Sequence, residues 1–227
     1  SGRVVCLGGP RPMDRMIPNT AESLGLRDVS GSDPLTLGVY DKFLQRLNVT
    51  QVGSPEPDGA GIVATASNEG LDYLNVTEFI SPVPLTNDDF RPVYSGPDIY
   101  IYANPQASGE VWLEATDSPD FNAHGFDPQF DTLVQDSVPI NNTPGAIIGA
   151  VDKQPESVSV KPNLAQPQTA VFSEIADPSW KIYVDGHHAQ WFTAHGLLVG
   201  VDLPAGPHTV QLRYLPDSGF IGLYITG

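Results

Sequence analysis

Three things are scarce in this sequence. Cysteine is nearly absent: Cys6 stands alone among 227 residues. A single thiol excludes an internal disulfide and any zinc framework built on Cys-x-x-Cys or Cys/His sets. Positive charge is also scarce, with 11 Lys and Arg against 27 Asp and Glu, a formal net charge of −16. Such a field repels polyanions, so it argues against nucleic acid as a partner and against electrostatic adhesion to anionic lipid. It suits a soluble domain in an aqueous, salty compartment, and weak cation binding. Long apolar runs are the third scarcity. No stretch approaches the ~18 residues that span a bilayer, and no signal-peptide pattern is present. The chain opens Ser-Gly-Arg and stops in a strand-like Tyr224-Ile225-Thr226-Gly227, as expected of a piece cut from a longer protein.

What is present favours short strands and turns. Gly and Pro number 22 each, while hydrophobic residues make up 40%, enough for a real core. Helical patterning is confined to the first part of the chain. Asn19 is placed to cap a short helix through Leu24, closed by Gly25. Asp33-Pro34 starts a second helix whose Leu37, Tyr40, Phe43, Leu44 and Leu47 share one face. GSPEPDGAG, residues 53 to 61, reads as a loop. Arg3 to Leu7 reads as a strand, Leu71 to Leu74 as a short helix, and Val76 to Ile80 as a strand. Ile99 to Tyr102 reads as the antiparallel partner of that strand after a Pro-rich loop.

From about residue 111 the pattern is all β. Strands are expected at 111–115, 146–151, 157–161, 169–175, 180–184, 189–193, 197–203, 208–214 and 220–225. Spacing of about ten residues with Gly/Pro turns suggests a sandwich. The expected fold class is therefore α+β and mainly β. A small N-terminal α/β module, residues 1–110, packs on a C-terminal antiparallel β-sandwich of jelly-roll type, residues 111–227. No internal repeat is visible.

Four sets of residues invite chemistry, and each has a plainer reading. Asp185-Gly186 follows the alternating strand Trp180-Lys181-Ile182-Tyr183-Val184 and fits a ligand loop, but also a hairpin turn with both residues at positive φ. The turn is the simpler account, and His187 and His188 then read as solvated turn histidines rather than metal ligands. Trp191, Phe192, Tyr183 and His195 supply aromatic faces and polar groups suited to a sugar. Adjacent residues of a strand face opposite ways, so Trp191 and Phe192 cannot both be core, whereas Trp180 should be. The plainer reading of the aromatic set is packing. Finally, residues 120–131, DFNAHGFDPQFD, approximate a calcium loop. Asp120, Asn122, Gly125 and Asp131 fall at positions one, three, six and twelve, with His124 and Asp127 breaking the pattern. The alternative is a plain acidic loop. No nucleophile elbow, zinc helix or phosphate loop is present, so no catalytic residue is assigned.

The last sixty residues carry a distinct signature: Trp180-Lys181, Val184-Asp185-Gly186, Gly196, Leu203-Pro204-Ala205-Gly206, His208, Tyr214 and Pro216. It resembles the C-terminal extracytoplasmic segment of YfhO-type bacterial membrane proteins. SGSDPLTLGVYDKFL (30–44), LDYLNVTEFI (71–80) and IYIYANP (99–105) resemble upstream pieces of the same family, in the same order. Ala103, Gly109-Glu110, His195 and Ser32 depart from its usual residues. The resemblance implies a polytopic, glycosyltransferase-C-like parent protein at the extracytoplasmic face of the bacterial cell membrane. The catalytic carboxylate would then lie in the membrane core, outside this chain, and this piece would itself be non-catalytic. The implied partners are the membrane core of its own full-length protein and a glycan or lipid-linked sugar. The implied role is to hold an acceptor glycan or brace the core during sugar transfer in envelope glycan assembly. No cofactor is implied beyond a possible calcium ion. The alternatives are a non-catalytic carbohydrate-binding module and a purely structural envelope domain.

Overall fold

The structure is a computed structural model that describes residues 2–6, 24–29, 69–85, 90–115, 151–154 and 156–216. The two helices expected before residue 48, the calcium-like loop, most of the strand expected at 146–151 and the strand expected at 220–225 lie outside the described residues. The chain divides into two compact units, Ser1–Gly109 and Glu110–Gly227.

In the first unit, strand β1 (Arg3–Cys6) pairs in parallel with β2 (Arg27–Asp28). A short helix, α1 (Glu69–Tyr73), precedes β3 (Val76–Ser81), which pairs in parallel with the other side of β1. Asn75 stops the helix. Its φ is 54°, a left-handed conformation that Asn tolerates better than most side chains, and the chain leaves it directly into β3. β4 (Arg91–Ser95) and β5 (Tyr100–Ala103) complete a five-stranded sheet in the order β2-β1-β3-β5-β4. The pairing of β3 with β5 is antiparallel, as the pattern predicts. β4 was not expected. Its five residues are all exposed and it contains Pro92, so it has neither apolar alternation nor a full set of donors. An edge position tolerates both deficits.

Asn104 ties this unit together. Its Nδ2 donates to Asp72 Oδ1 at 2.7 Å and to the Val76 carbonyl at 2.8 Å, and its own Oδ1 accepts the Gln106 amide at 3.0 Å. The Asn104 amide also donates to the Thr77 carbonyl, and the Ser108 amide to the Asp72 carbonyl. Helix, inner strand and the exit of β5 thus meet at one buried side chain.

The second unit is a β-sandwich. Its strands are β6 (Val111–Ala115), β7 (Val151–Gln154), β8 (Ser157–Val160), β9 (Asn163–Leu164), β10 (Gln168–Ile175), β11 (Trp180–Val184), β12 (His187–Ala189), β13 (Phe192–Ala194), β14 (Leu198–Leu203), β15 (Gly206–Pro207) and β16 (Val210–Tyr214). One sheet runs β13-β14-β10-β6 and the other β12-β11-β16-β8-β7, while β9 and β15 form a small ribbon. Val111, Leu113, Ala170, Phe172, Val199, Val201 and Leu203 of the first sheet share one core with Val158, Val160, Trp180, Ile182, Val210 and Leu212 of the second. Trp180 is core, as its place in the alternation predicts, and its indole N–H donates to the Ile175 carbonyl.

One expectation fails instructively. The single strand expected at 189–193 is two strands in different sheets: β12 pairs with β11, and β13 pairs with β14. The chain changes sheets at Gln190-Trp191, a sandwich corner of the kind where a strand cannot continue. Two-residue alternation therefore does not govern Trp191 and Phe192.

Replacing Asn104 with Ala should lower the urea midpoint of the chain. Two donors, one acceptor and their partners lose their bonds in a buried place, so a loss of about 2–3 kcal/mol is expected. Urea denaturation followed by far-UV circular dichroism measures it; an unchanged midpoint would show that this side chain does not hold the unit together.

Candidate functional site

The four residues expected to hold a sugar do not come together. Trp191 is half-buried and packs against the sandwich core. Phe192 lies on the other face of the β13-β14-β10-β6 sheet, opposite Gly200. A Cβ on Gly200 would come within 2.6 Å of the Phe192 ring, so the missing side chain is what seats this aromatic. Tyr183 sits on the outer face of the other sheet, and His195 closes the β13–β14 hairpin.

His195 does meet chemistry, but with residues the sequence reading did not single out. Its Nε2 is 2.9 Å from Glu114 Oε1, and the same oxygen accepts the Trp112 indole N–H at 2.6 Å. The Trp112 and His195 rings are 6.3 Å apart. His195 holds a φ of 51°, a left-handed conformation that is uncommon outside Gly, though His, Asn and Asp adopt it more often than other side chains. Burial pushes the Glu114 carboxyl up, but the hydrogen bond and charge of His195, with the indole bond, outweigh it and leave Glu114 below its ordinary value. Trp112 had a readable signal. Val111-Trp112-Leu113 is apolar without alternation, the mark of a strand buried on both faces. All three are buried. The cluster is a satisfied polar network, and it has the plain structural role of fixing β6 to the β13–β14 turn.

The outer face of the β12-β11-β16-β8-β7 sheet is different in kind. The inward residues of β11, β16 and β8 leave Lys181, Tyr183, Gln211, Arg213, Ser157 and Ser159 on the opposite side. Register lines up His188, Tyr183, Gln211, Ser159 and Asp152 straight across five strands. Neighbouring strands are about 4.7–4.9 Å apart, so this is a row of donors and acceptors at regular spacing. Lys181 and Arg213 form the next row. The Arg213 guanidinium lies 5.4 Å from the Tyr183 ring centroid and donates to Gln211 Oε1, while His188 meets the ring edge-on at 5.9 Å.

Asp185 and Gly186 form the turn that the simpler reading predicts, with φ of 51° and 81°. His187 and His188 beyond it are exposed. The partner of Asp185 was not foreseen: its carboxylate binds His208 and the Thr209 amide across the sheet end. A third charged set joins the two sheets. Lys153 bonds both Glu110 and Glu174, at 2.6 Å to the former. Among the described residues no three metal-ligating side chains cluster, and no helix is long and apolar enough to cross a membrane.

Glu114 gives a pH prediction with a definite sign. Its folded carboxyl titrates below the ordinary value, so its stabilisation is present above the ordinary carboxylate range and is lost as pH falls through the folded value. Thermal melting of Glu114→Gln should therefore depend less on acid than that of the natural chain. Parallel acid dependence in both would show that Glu114 carries none of it.

No curated protein and no solved structure matches this chain. Residues 145–226 match a family described as bacterial membrane protein YfhO. The matched segment runs from just before β7 to beyond β16 and includes the Val184-Asp185-Gly186 turn and the Leu203–His208 connection. Over residues 145–226 the second unit is thus similar to a family of bacterial membrane proteins.

Proposed function

We propose that this chain is an extracytoplasmic domain of a polytopic, glycosyltransferase-like membrane protein, and that its sandwich holds an acceptor glycan during sugar transfer. The observation that carries the reading is the cross-strand row His188, Tyr183, Gln211, Ser159 and Asp152 on an open sheet face, within a segment that matches a membrane-protein family. Sugar hydroxyls both donate and accept, and a row of side-chain donors and acceptors can meet several of them at once. Lys181 and Arg213 extend the donor set beside the row. The chemistry of transfer is assigned to the membrane core of the full-length protein, which would present a lipid-linked donor to the held acceptor. The described residues suit holding better than bond-breaking. Glu114 and His195 are tied to each other and to Trp112, and Asp185 to His208.

A glycan array probed with the purified chain tests this directly. Saturable binding is expected, weakened at least about tenfold by Tyr183→Ala or Arg213→Ala, equivalent to about 1.4 kcal/mol. Trp191→Ala, which alters the core edge, should weaken binding only as far as it lowers stability. Absence of binding to any glycan would overturn the holding role and leave a brace for the parent's membrane core.

A further inference from the structure

His208 stands between two acceptors. Its Nδ1 is 2.8 Å from Asp185 Oδ2, and its Nε2 is 3.0 Å from the Pro204 carbonyl oxygen. A carbonyl oxygen only accepts, so Nε2 carries a proton. An ionised carboxylate also only accepts, so Nδ1 carries one too. Neutral imidazole has a single N–H and satisfies one of the two. We infer that His208 is an imidazolium in the folded chain, and that the Asp185–His208 pair is a proton-operated latch. It fastens the β11–β12 hairpin turn to the connection between β14 and β16.

The latch is built in around the pair. The Thr209 amide donates to Asp185 Oδ1 at 2.7 Å, and the Asp185 amide donates to the Thr209 carbonyl at 2.8 Å. The His208 amide donates to the Pro162 carbonyl, so the same residue also holds the segment before β9. Among the described residues, the charges that favour ionised Asp185 are those of His208 and, less strongly, His187. Lys161 is exposed just before Pro162, and the β9–β15 ribbon of Asn163, Leu164, Gly206 and Pro207 brings no charge.

The sign follows from the bonds. The hydrogen bond to Asp185 raises His208 above the ordinary imidazole value despite some desolvation, and the Pro204 carbonyl adds to it. The bonds from His208 and then from the Thr209 amide lower Asp185. The His208 contribution is complete below about pH 6.5 and is lost as pH rises through its folded value. The Asp185 contribution is complete above about pH 3.9 and is lost as pH falls through its own folded value. The latch is therefore fully fastened in mildly acidic water, and one of its two imidazole bonds is lost as pH rises through the folded value of His208. Its consequence for glycan holding rests on the function proposed above: the hairpin it fastens continues into the Tyr183–His188 pair of the outer face.

Nitrogen-15 NMR of the histidine rings in the full 227-residue chain is the test, titrated between about pH 5 and about pH 8. His208 is expected to keep both ring protons at about pH 6.5, where a free imidazole has lost half its charge. Asp185→Asn is expected to lower the His208 midpoint. Asn tolerates the positive φ at this position and keeps an oxygen for the Thr209 amide, so the turn survives the substitution. A wild-type His208 midpoint at or below about 6.5, or a midpoint unmoved by Asp185→Asn, would falsify the latch. Neither readout depends on whether a glycan binds.

Discussion

The second unit depends on hiding one apolar layer between two sheets. Phe172 and Val201 on one side and Trp180, Ile182 and Leu212 on the other have no second place to go. At roughly 25 cal/mol per Å² of apolar surface, burial of such side chains sets the register of every long strand, because a one-residue slip would turn each of them outward. Once Ile182 and Leu212 face inward, Tyr183 and Arg213 must face out. The open polar row is thus a by-product of the core, and its spacing comes at no additional structural cost.

Positive charge is scarce, and four of the described cations have visible posts. Lys153 sits between Glu110 and Glu174, and with side chains less than a fifth exposed the cluster acts well below full solvent screening. Arg213 lies on Tyr183, and Lys181 reaches the Pro178 carbonyl. Arg3 donates to the Leu74 carbonyl at the end of α1.

Much of the fold was legible because period-two patterning is loud when one face is buried. Trp180–Val184 and the Asp185-Gly186 turn were read nearly to the residue. Legibility failed where that premise failed. β4 has no buried face, so Arg91–Ser95 looked like loop. β6 and β10 bury both faces of part of their length, so Trp112 did not stand out as one side of a pattern. Gln190-Trp191 crosses between sheets, which no local period announces. The candidate site suffered most from this. An aromatic set chosen for proximity in sequence was distributed over a core edge, the face of one sheet turned away from the core, a hairpin turn and the outer face of the other sheet. Of the four, Tyr183 alone belongs to the open polar row, because that row is assembled from five strands distant in sequence.

The same structure gives a physical reason for the spacing of the signature residues. Val184-Asp185-Gly186 and Leu203-Pro204-Ala205-Gly206 followed by His208 are separated in the chain but joined in space. The first supplies a carboxylate at a positive φ, and the second supplies a carbonyl and an imidazole that meets both. Upstream, Asp72 of LDYLNVTEFI and Asn104 of IYIYANP are also hydrogen-bonded to each other. Turn residues recur for backbone reasons, but backbone reasons alone do not require a histidine two residues beyond Gly206 or an asparagine directly after β5. Those side chains are explained by the partners they reach. The motif is therefore best understood as two long-range pairs, each of which closes its unit at a point where hydrophobic patterning supplies no instruction.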